Sequence, residues 1–280
     1  MKLHIVMVVL NCLDMTKAAV DSIKTKHPYS LHIVDQESTD GTKEWAEGKQ
    51  NGKDFWYHRY SPKVALSEAW NRGIKESLSD PECEYIFIPN NDVIFHPTTI
   101  DNLIESIDET GYAMVTGENI APRMSIDQMM AQEKHGDKDF DMRPITSWME
   151  EGPDFSCFMI KSGFTDQYGW FDENFYPAYC EDQDIHIRII RAGGHAKRIS
   201  RAPYYHFASQ TIAKNPGITG LVHEGHAKNL NYYREKWGGD HNNVLEGKLG
   251  YQTPFNDPTN DHRFWRGCDK YYSSKKDENN

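Results

Sequence analysis

A chain of 280 residues with 38% hydrophobic, 12% aromatic and 26% charged residues is long enough to bury a sizeable core and too ordinary in composition for wholesale disorder. A formal charge of −11 and a pI near 5.6 argue against a broad electrostatic grip on nucleic acid, and no apolar run approaches the ~18 to 20 residues that span a bilayer. The opening MKLHIVMVVLNCLDM meets Asn11 and Asp14 too early for a secretory leader, and five cysteines without CxxC or zinc-like spacing read as scattered reduced thiols, so a cytoplasmic protein is expected.

In chain order, LHIVMVVL (3–10) predicts a strand and Asp14 to Lys26 an amphipathic helix. LHIVD (31–35) predicts a second strand, followed by a helix that Ser38, Thr39 or Asp40 could cap. FWYHRY (55–60), a helix over 64–78 carrying Val64, Ala65, Ala69, Ile74 and Leu78 on one face, and YIFIP (85–89) continue the alternation. Strand, helix, strand, helix implies right-handed crossovers and a largely parallel sheet. From 119 to 148 the pattern gives way to a polar, Met-rich insertion, read as mobile or partly helical. FSCFMIK (155–161) restores a strand, Ile185, Ile189 and Ile190 mark a helix stopped at Gly193-Gly194, HAKRIS and PYYHF read as two short strands, and a last helix spans about Thr219 to Trp237.

In open α/β sheets ligands sit beyond the carboxyl ends of the strands, so Asn11, Asp35 and Asp92 are the first candidates. VDQESTDGT (34–42) is a capped turn in its plainest reading, or a nucleoside site in which Asp35 makes charge-assisted hydrogen bonds. In PNNDV (89–93), Asp92 can supply one carboxylate to a hard cation bridging a diphosphate, and Asn90 can touch sugar hydroxyls, with Asn91 a turn residue beside them. YCEDQDIHIRII (179–190) opens a helix with Glu181, Asp182 and Asp184; the helix dipole accounts for Asp184, whereas Glu181 and Asp182 suit a general base aimed at an acceptor hydroxyl. His206, in YYHFASQT, is either a structural imidazole or a ligand for Mn²⁺. HEGH at 223–226 lacks the HExxH pattern and reads as structural.

Taken in order, these segments resemble family 2 glycosyltransferases of the GT-A fold over roughly residues 3–237. NCLDMTKAAVDSI, HIVDQESTDGT, VALSEAWNRGI, IPNNDVIF, GWFDENFYPAYCEDQDIHIRIIRAG and NLNYYREKWGG each look like a segment of that family. The resemblance implies a Rossmann-like, mostly parallel central sheet flanked by helices, with an acceptor-side insertion and a C-terminal extension. It divides the chain into a nucleotide-sugar half (1–117), an acceptor and catalytic half (118–237) and an extension (238–280). The implied reaction is transfer from a nucleoside diphosphate sugar, UDP-linked by the family's habit, with inversion and with Mn²⁺ or Mg²⁺. The implied roles put Asn11, Asp35, Asp40, Lys63, Asn71, Asn90 and Asn91 on the donor, Asp92 and His206 on the metal, and Asp182 as base with Glu181 second to it. Asn90 stands where the family's DxD begins, and Ser61-Pro62-Lys63 where a Gly-containing turn is common.

The acceptor is left open among a glycan, a lipid-linked sugar, a protein and a modified nucleic-acid base. Two rivals use the same residues: a nucleotidyltransferase, against which stands the lack of a Gly-rich loop after the first strand, and a binding protein without turnover. HRFWRG and KYYSSKK in the tail mix basic and aromatic residues, which suits stacking on rings as well as a solvated end.

Overall fold

A computed structural model describes residues 2–121, 143–144, 153–207 and 216–241. The first half alternates β1 (Lys2–Val9), α1 (Leu13–Asp21), β2 (Tyr29–Asp35), α2 (Thr42–Lys49), β3 (Phe55–Arg59), α3 (Leu66–Leu78) and β4 (Cys83–Pro89). A short β5 (Val93–Phe95), α4 (Thr99–Thr110) and β6 (Met114–Ala121) follow. The second half contributes β7 (Arg143–Pro144), β8 (Cys157–Lys161), α5 (Phe164–Tyr168), α6 (Glu181–Arg191), β9 (Ala196–His206) and α7 (Pro216–Trp237).

The strands form one curled sheet in the order β3-β2-β1-β4-β8-β6-β9-β5, with β7 on β6. β3, β2, β1 and β4 are all parallel, as βαβ connections require. Beyond β4 the sheet is mixed: β8 runs antiparallel to β4 and β6, and β5 antiparallel to β9, while β6 and β9 are parallel. The expectation of a largely parallel sheet therefore holds for the first half only.

Side chains alternate across a strand, and here the alternation separates two cores. Leu3, Ile5, Met7, Leu31, Ile33, Tyr85 and Phe87 pack under α1 and α4. Val6, Val34, Ile86 and Ile88 face Ala69, Trp70 and Ile74 of α3 and Ile185 and Ile189 of α6. Gly73 lets α3 lie close on the sheet, because a Cβ there would stand 2.2 Å from Val6 Cγ1. On the same face, nearer the start of β1, His4 Nδ1 lies 3.0 Å from His32 Nε2 and His32 Nδ1 lies 3.2 Å from His58 Nε2. His4 Nε2 reaches Asp80 Oδ2 at 3.3 Å; a carboxylate only accepts, so the three neutral rings carry their protons on Nε2 in sequence.

Three boundaries differ from the sequence reading. The cap of α2 is Gly41 at φ 90°, not Ser38, Thr39 or Asp40, although Asp40 Oδ1 accepts the Thr42 N–H at 3.2 Å. α1 ends at Asp21, five residues before Lys26. HAKRIS and PYYHF are one strand, β9, whose pairing with β6 shifts register between Gly117 and Glu118 and so absorbs the break that Pro203 suggests. Residues 119–121 of the expected insertion belong to β6 and 143–144 to β7, and its other residues, like 242–280 of the tail, lie outside the described residues. Among the described residues, Cys12, Cys83, Cys157 and Cys180 are buried, and no helix is long and apolar enough to cross a membrane.

Candidate active site

A cavity of about 330 Å³ opens at the carboxyl ends of β1, β2 and β4, on the face that carries α3. Val8, Val9 and Leu10, then Gln36, Lys63 and Val64, and Asn90, Asn91, Asp92 and His206 line it. The rest of the lining includes the approach to α6 (Tyr176 to Tyr179, and Glu181) and Ile218, Leu221 and Val222 of α7. Among the described residues, five non-glycine residues have positive φ, and they sit at or next to this rim: Asn11 (56°) and Cys12 (60°) after β1, Glu37 (69°) after β2, Tyr179 (80°) and Cys180 (75°) before α6. Such conformations cost of order 1–3 kcal/mol each and persist where surrounding contacts over-determine them.

The alternation that sorts the core also sorts the candidates. Val8, Gln36 and Asn90 follow the phase of Val6, Val34 and Ile88 and reach the cavity. Asp35 follows the phase of Ile33 to the other face, is fully buried, and accepts Ser38 N–H at 2.8 Å, Tyr57 O–H at 2.6 Å and Arg59 Nη1 at 2.5 Å. It holds the turn beneath the cavity, and Gln36, which the sequence reading passed over, is the residue in the wall. Gln36 Oε1 accepts the Val64 N–H at 2.9 Å, and Nε2 is buried without a partner.

Asn11 and Asp40 tie the rim together. Asn11 Oδ1 accepts the Thr39 N–H at 2.7 Å and its N–H reaches Ser38 Oγ at 2.8 Å, while Asp40 Oδ2 accepts the Leu13 N–H at 2.8 Å. Asn91 lines the cavity, but its amide nitrogen donates to Thr16 Oγ1 at 3.0 Å and Asn11 O at 3.3 Å. Asn71 stands away from the cavity wall: its amide clasps both backbone groups of Phe171 (2.8 and 3.0 Å) and Glu173 Oε1 (2.8 Å), fastening α3 to the segment before α6.

At the β4 end, Asp92 Oδ1 and His206 Nε2 are 3.0 Å apart, and Asn90 Nδ2 is 3.4 Å from the same nitrogen. Two ligands on adjacent corners of an octahedral ion with ~2.1 Å arms are separated by about 3 Å, so this pair fits a divalent cation. Among the described residues no three His, Cys, Asp or Glu gather to hold a metal. Two protein ligands would leave the rest of an ion's shell to substrate phosphates and water, an arrangement usual for Mg²⁺ and accessible to Mn²⁺.

Glu181 begins α6, is 4% exposed, and has Oε2 buried without a hydrogen-bond partner in the cavity wall. Burial and the adjacent Asp182 carboxylate push its pKa well up. Asp182, one residue on, is outside that wall; its carboxylate accepts the Gln183 N–H at 2.8 Å, burial raises its pKa, and the charge of Asp154 acts in the same direction.

α6 is held by an ionic cluster with no solvent access. Lys236 Nζ lies 2.6 Å from both Asp172 Oδ2 and Asp184 Oδ1. Asp184 also takes Arg188 at 2.7 Å and the Trp237 indole N–H at 2.9 Å, and Arg188 donates to the carbonyls of Tyr168 and Trp170. Asp184 is thus a structural ion-pair residue, and the Lys-Trp pair of α7 fixes the element that carries Glu181 and Asp182.

Residues 4–169 match the sequence model of a family described as Glycosyl transferase family 2. No curated protein is similar enough in sequence to match. Among solved structures, S. aureus TarS 1-349 is similar with a TM-score of 0.53 at 15% identity, over 80% of this chain and 65% of that one. The same fragment in complex with UDP-GlcNAc gives 0.53 at 15% identity over 73% and 58%, and in complex with UDP 0.52 at 15% identity over 89% and 76%. The chain spans less than two thirds of the first of these structures. The fold shared with them is GT-A.

Proposed function

The chain belongs to glycosyl transferase family 2, and from that premise we propose that it moves a hexosyl group, with inversion, from a nucleoside diphosphate sugar to an acceptor hydroxyl, UDP being the favoured nucleotide. The observation that carries this reading is the cavity at the strand ends, lined both by Asp92 and His206, 3.0 Å apart, and by Glu181. The complexes of TarS with UDP and UDP-GlcNAc support the choice of donor class.

In this reading residues 1–117 bind the donor, with Gln36, Lys63 and Asn90 in contact with it and Asn11, Asp35, Asp40 and Asn91 holding the turns that shape its site. Asp92 and His206 would hold Mn²⁺ or Mg²⁺, which when bound offsets the charge that builds on the departing diphosphate. Residues 118–237 orient the acceptor, and Asp182 removes the proton from its hydroxyl as that oxygen attacks the anomeric carbon. A raised carboxylate pKa suits this task, since a base is most effective when its pKa approaches the working pH.

The test is release of nucleoside diphosphate from a panel of nucleotide sugars with Mn²⁺, with and without chelator, alongside thermal stabilisation by each donor. Metal-dependent release and stabilisation by one donor are expected. A folded protein stabilised by none of them contradicts the reading.

A further inference from the structure

Two polar atoms in the cavity wall are buried without partners, Gln36 Nε2 and Glu181 Oε2. An orphaned polar atom in a dry site is costly, whereas one facing a cavity is satisfied by what binds there. Their positions can be ordered along the strand ends. Gln36 follows β2, while Asn90 and Asp92 follow β4, two strands along and so about 10 Å away at ~4.8 Å per strand. Next comes β8, whose start is joined to this edge by the Asn90 N–H donating to Ser156 O at 2.9 Å, and Asp154, just before it, is the carboxylate whose charge Asp182 feels. The order is Gln36, then Asp92 with His206, then the α6 carboxylates.

A nucleoside diphosphate sugar has the same linear order of parts. With its diphosphate at Asp92 and His206 and its nucleoside toward Gln36, its sugar falls beside the first turn of α6. We propose, resting on the transferase reading above, that Glu181 is a donor-sugar binding residue, its Oε2 hydrogen-bonding a hydroxyl of the transferred hexose, and that it does not serve as the base. The chemistry agrees on two counts. Burial and Asp182 raise the pKa of Glu181 and so favour its acid form, and a carboxyl in that form both donates and accepts, as a hydroxyl does, so it can pair with one in either sense. That form also adds no negative charge beside a diphosphate, in a cavity where Lys63 is the lysine of the described wall.

The experiment compares affinities for UDP and for UDP-glucose, UDP-galactose and UDP-GlcNAc, with Mn²⁺, by calorimetry on the full chain, following whichever sugar the unaltered protein binds tightest. Glu181→Leu is expected to raise the Kd for the nucleotide sugar about tenfold while that for UDP changes less than twofold, the loss typical of one buried hydrogen bond. Glu181→Gln, which keeps a donor and an acceptor at the same length, is expected to raise it about threefold, and it carries the test should the leucine variant fail to fold. Equal weakening of UDP and nucleotide sugar would overturn the assignment in favour of a structural role. Unchanged sugar affinity with turnover reduced more than ~100-fold would overturn it in favour of the base. Failure of the unaltered protein to bind any of the four ligands would instead bring down the transferase reading, and this assignment with it.

Discussion

The two halves of the molecule reach the same cavity by different means. On the β1 to β4 side each contribution is local: a strand ends, the next two or three residues turn, and Gln36, Asn90, Asn91 and Asp92 stand at the rim because parallel strands end on one edge. On the other side nothing is local. Glu181 and Asp182 are set by Asp172, Asp184, Arg188 and Lys236, which come from a loop, from α6 and from the last turn of α7, and by Asn71 clasping Phe171 a hundred residues away. Strand ends built from repeated βαβ geometry keep their shape when a single rim residue is exchanged. The first turn of α6, hung on one buried ionic cluster, does not keep its place when that cluster is broken. The comparison predicts that damage to the cluster lowers stability and transfer together, while damage to the strand-end residues lowers donor or metal handling alone.

The largest effect is expected from Lys236→Met. Removing the cation leaves Asp172 buried with Tyr232 and Asn174 as partners and Asp184 with Arg188 and Trp237, and breaking a buried pair in this way costs about 3–5 kcal/mol. Urea unfolding measures it, and a change below ~1 kcal/mol would mean that the cluster does not hold the second half. Asp92→Ala comes next. Metal-dependent release of nucleoside diphosphate should fall at least ~100-fold, about 2.7 kcal/mol in barrier, with the unfolding midpoint unmoved. Activity that titrates with Mn²⁺ as in the unaltered protein would remove Asp92 from the site.

A smaller effect tests the first half by itself. Burial lowers the His32 pKa to about 3, with His4, His58 and Lys2 adding to the shift and Asp80 opposing it; burial also lowers His4 and His58. Folded values below the ordinary 6.5 mean that the native state binds fewer protons than the unfolded one. The contribution of the chain of rings is therefore complete above pH 6.5 and is lost as pH falls toward 3. Stability should drop by about 1–2 kcal/mol between pH 7 and pH 5, and His32→Gln should flatten that slope. An unchanged slope would show that the rings titrate as exposed imidazoles.

The alternating elements and the PNNDV and ED segments could be read from the chain because each rests on neighbouring residues: strand period, helix period and turn chemistry. Gln36 was equally within reach, since period-two alternation places it on the face of Val8 and Asn90 and sends Asp35 to the opposite one. Asn71 looked like a donor contact because its segment resembles a donor-side helix, and its real partners, Phe171 and Glu173, lie beyond any local pattern. For the same reason the cluster around Lys236 was invisible: a lysine at a helix end has many plausible fates, and only the packing of α6 against α7 brings two aspartates to it. β9 read as two strands because Pro203 interrupts it, and pairing with β6 on both sides of the register shift overrides that signal.

The most direct test of the division between a donor half and a reaction half is the pair of constants for Asp182→Asn, donor affinity and transfer rate, measured on the same preparation. The account predicts a donor Kd within about threefold of the unaltered protein and transfer reduced at least ~100-fold, the low end for loss of a general base. Donor affinity that collapses along with transfer, or transfer that survives, would contradict it.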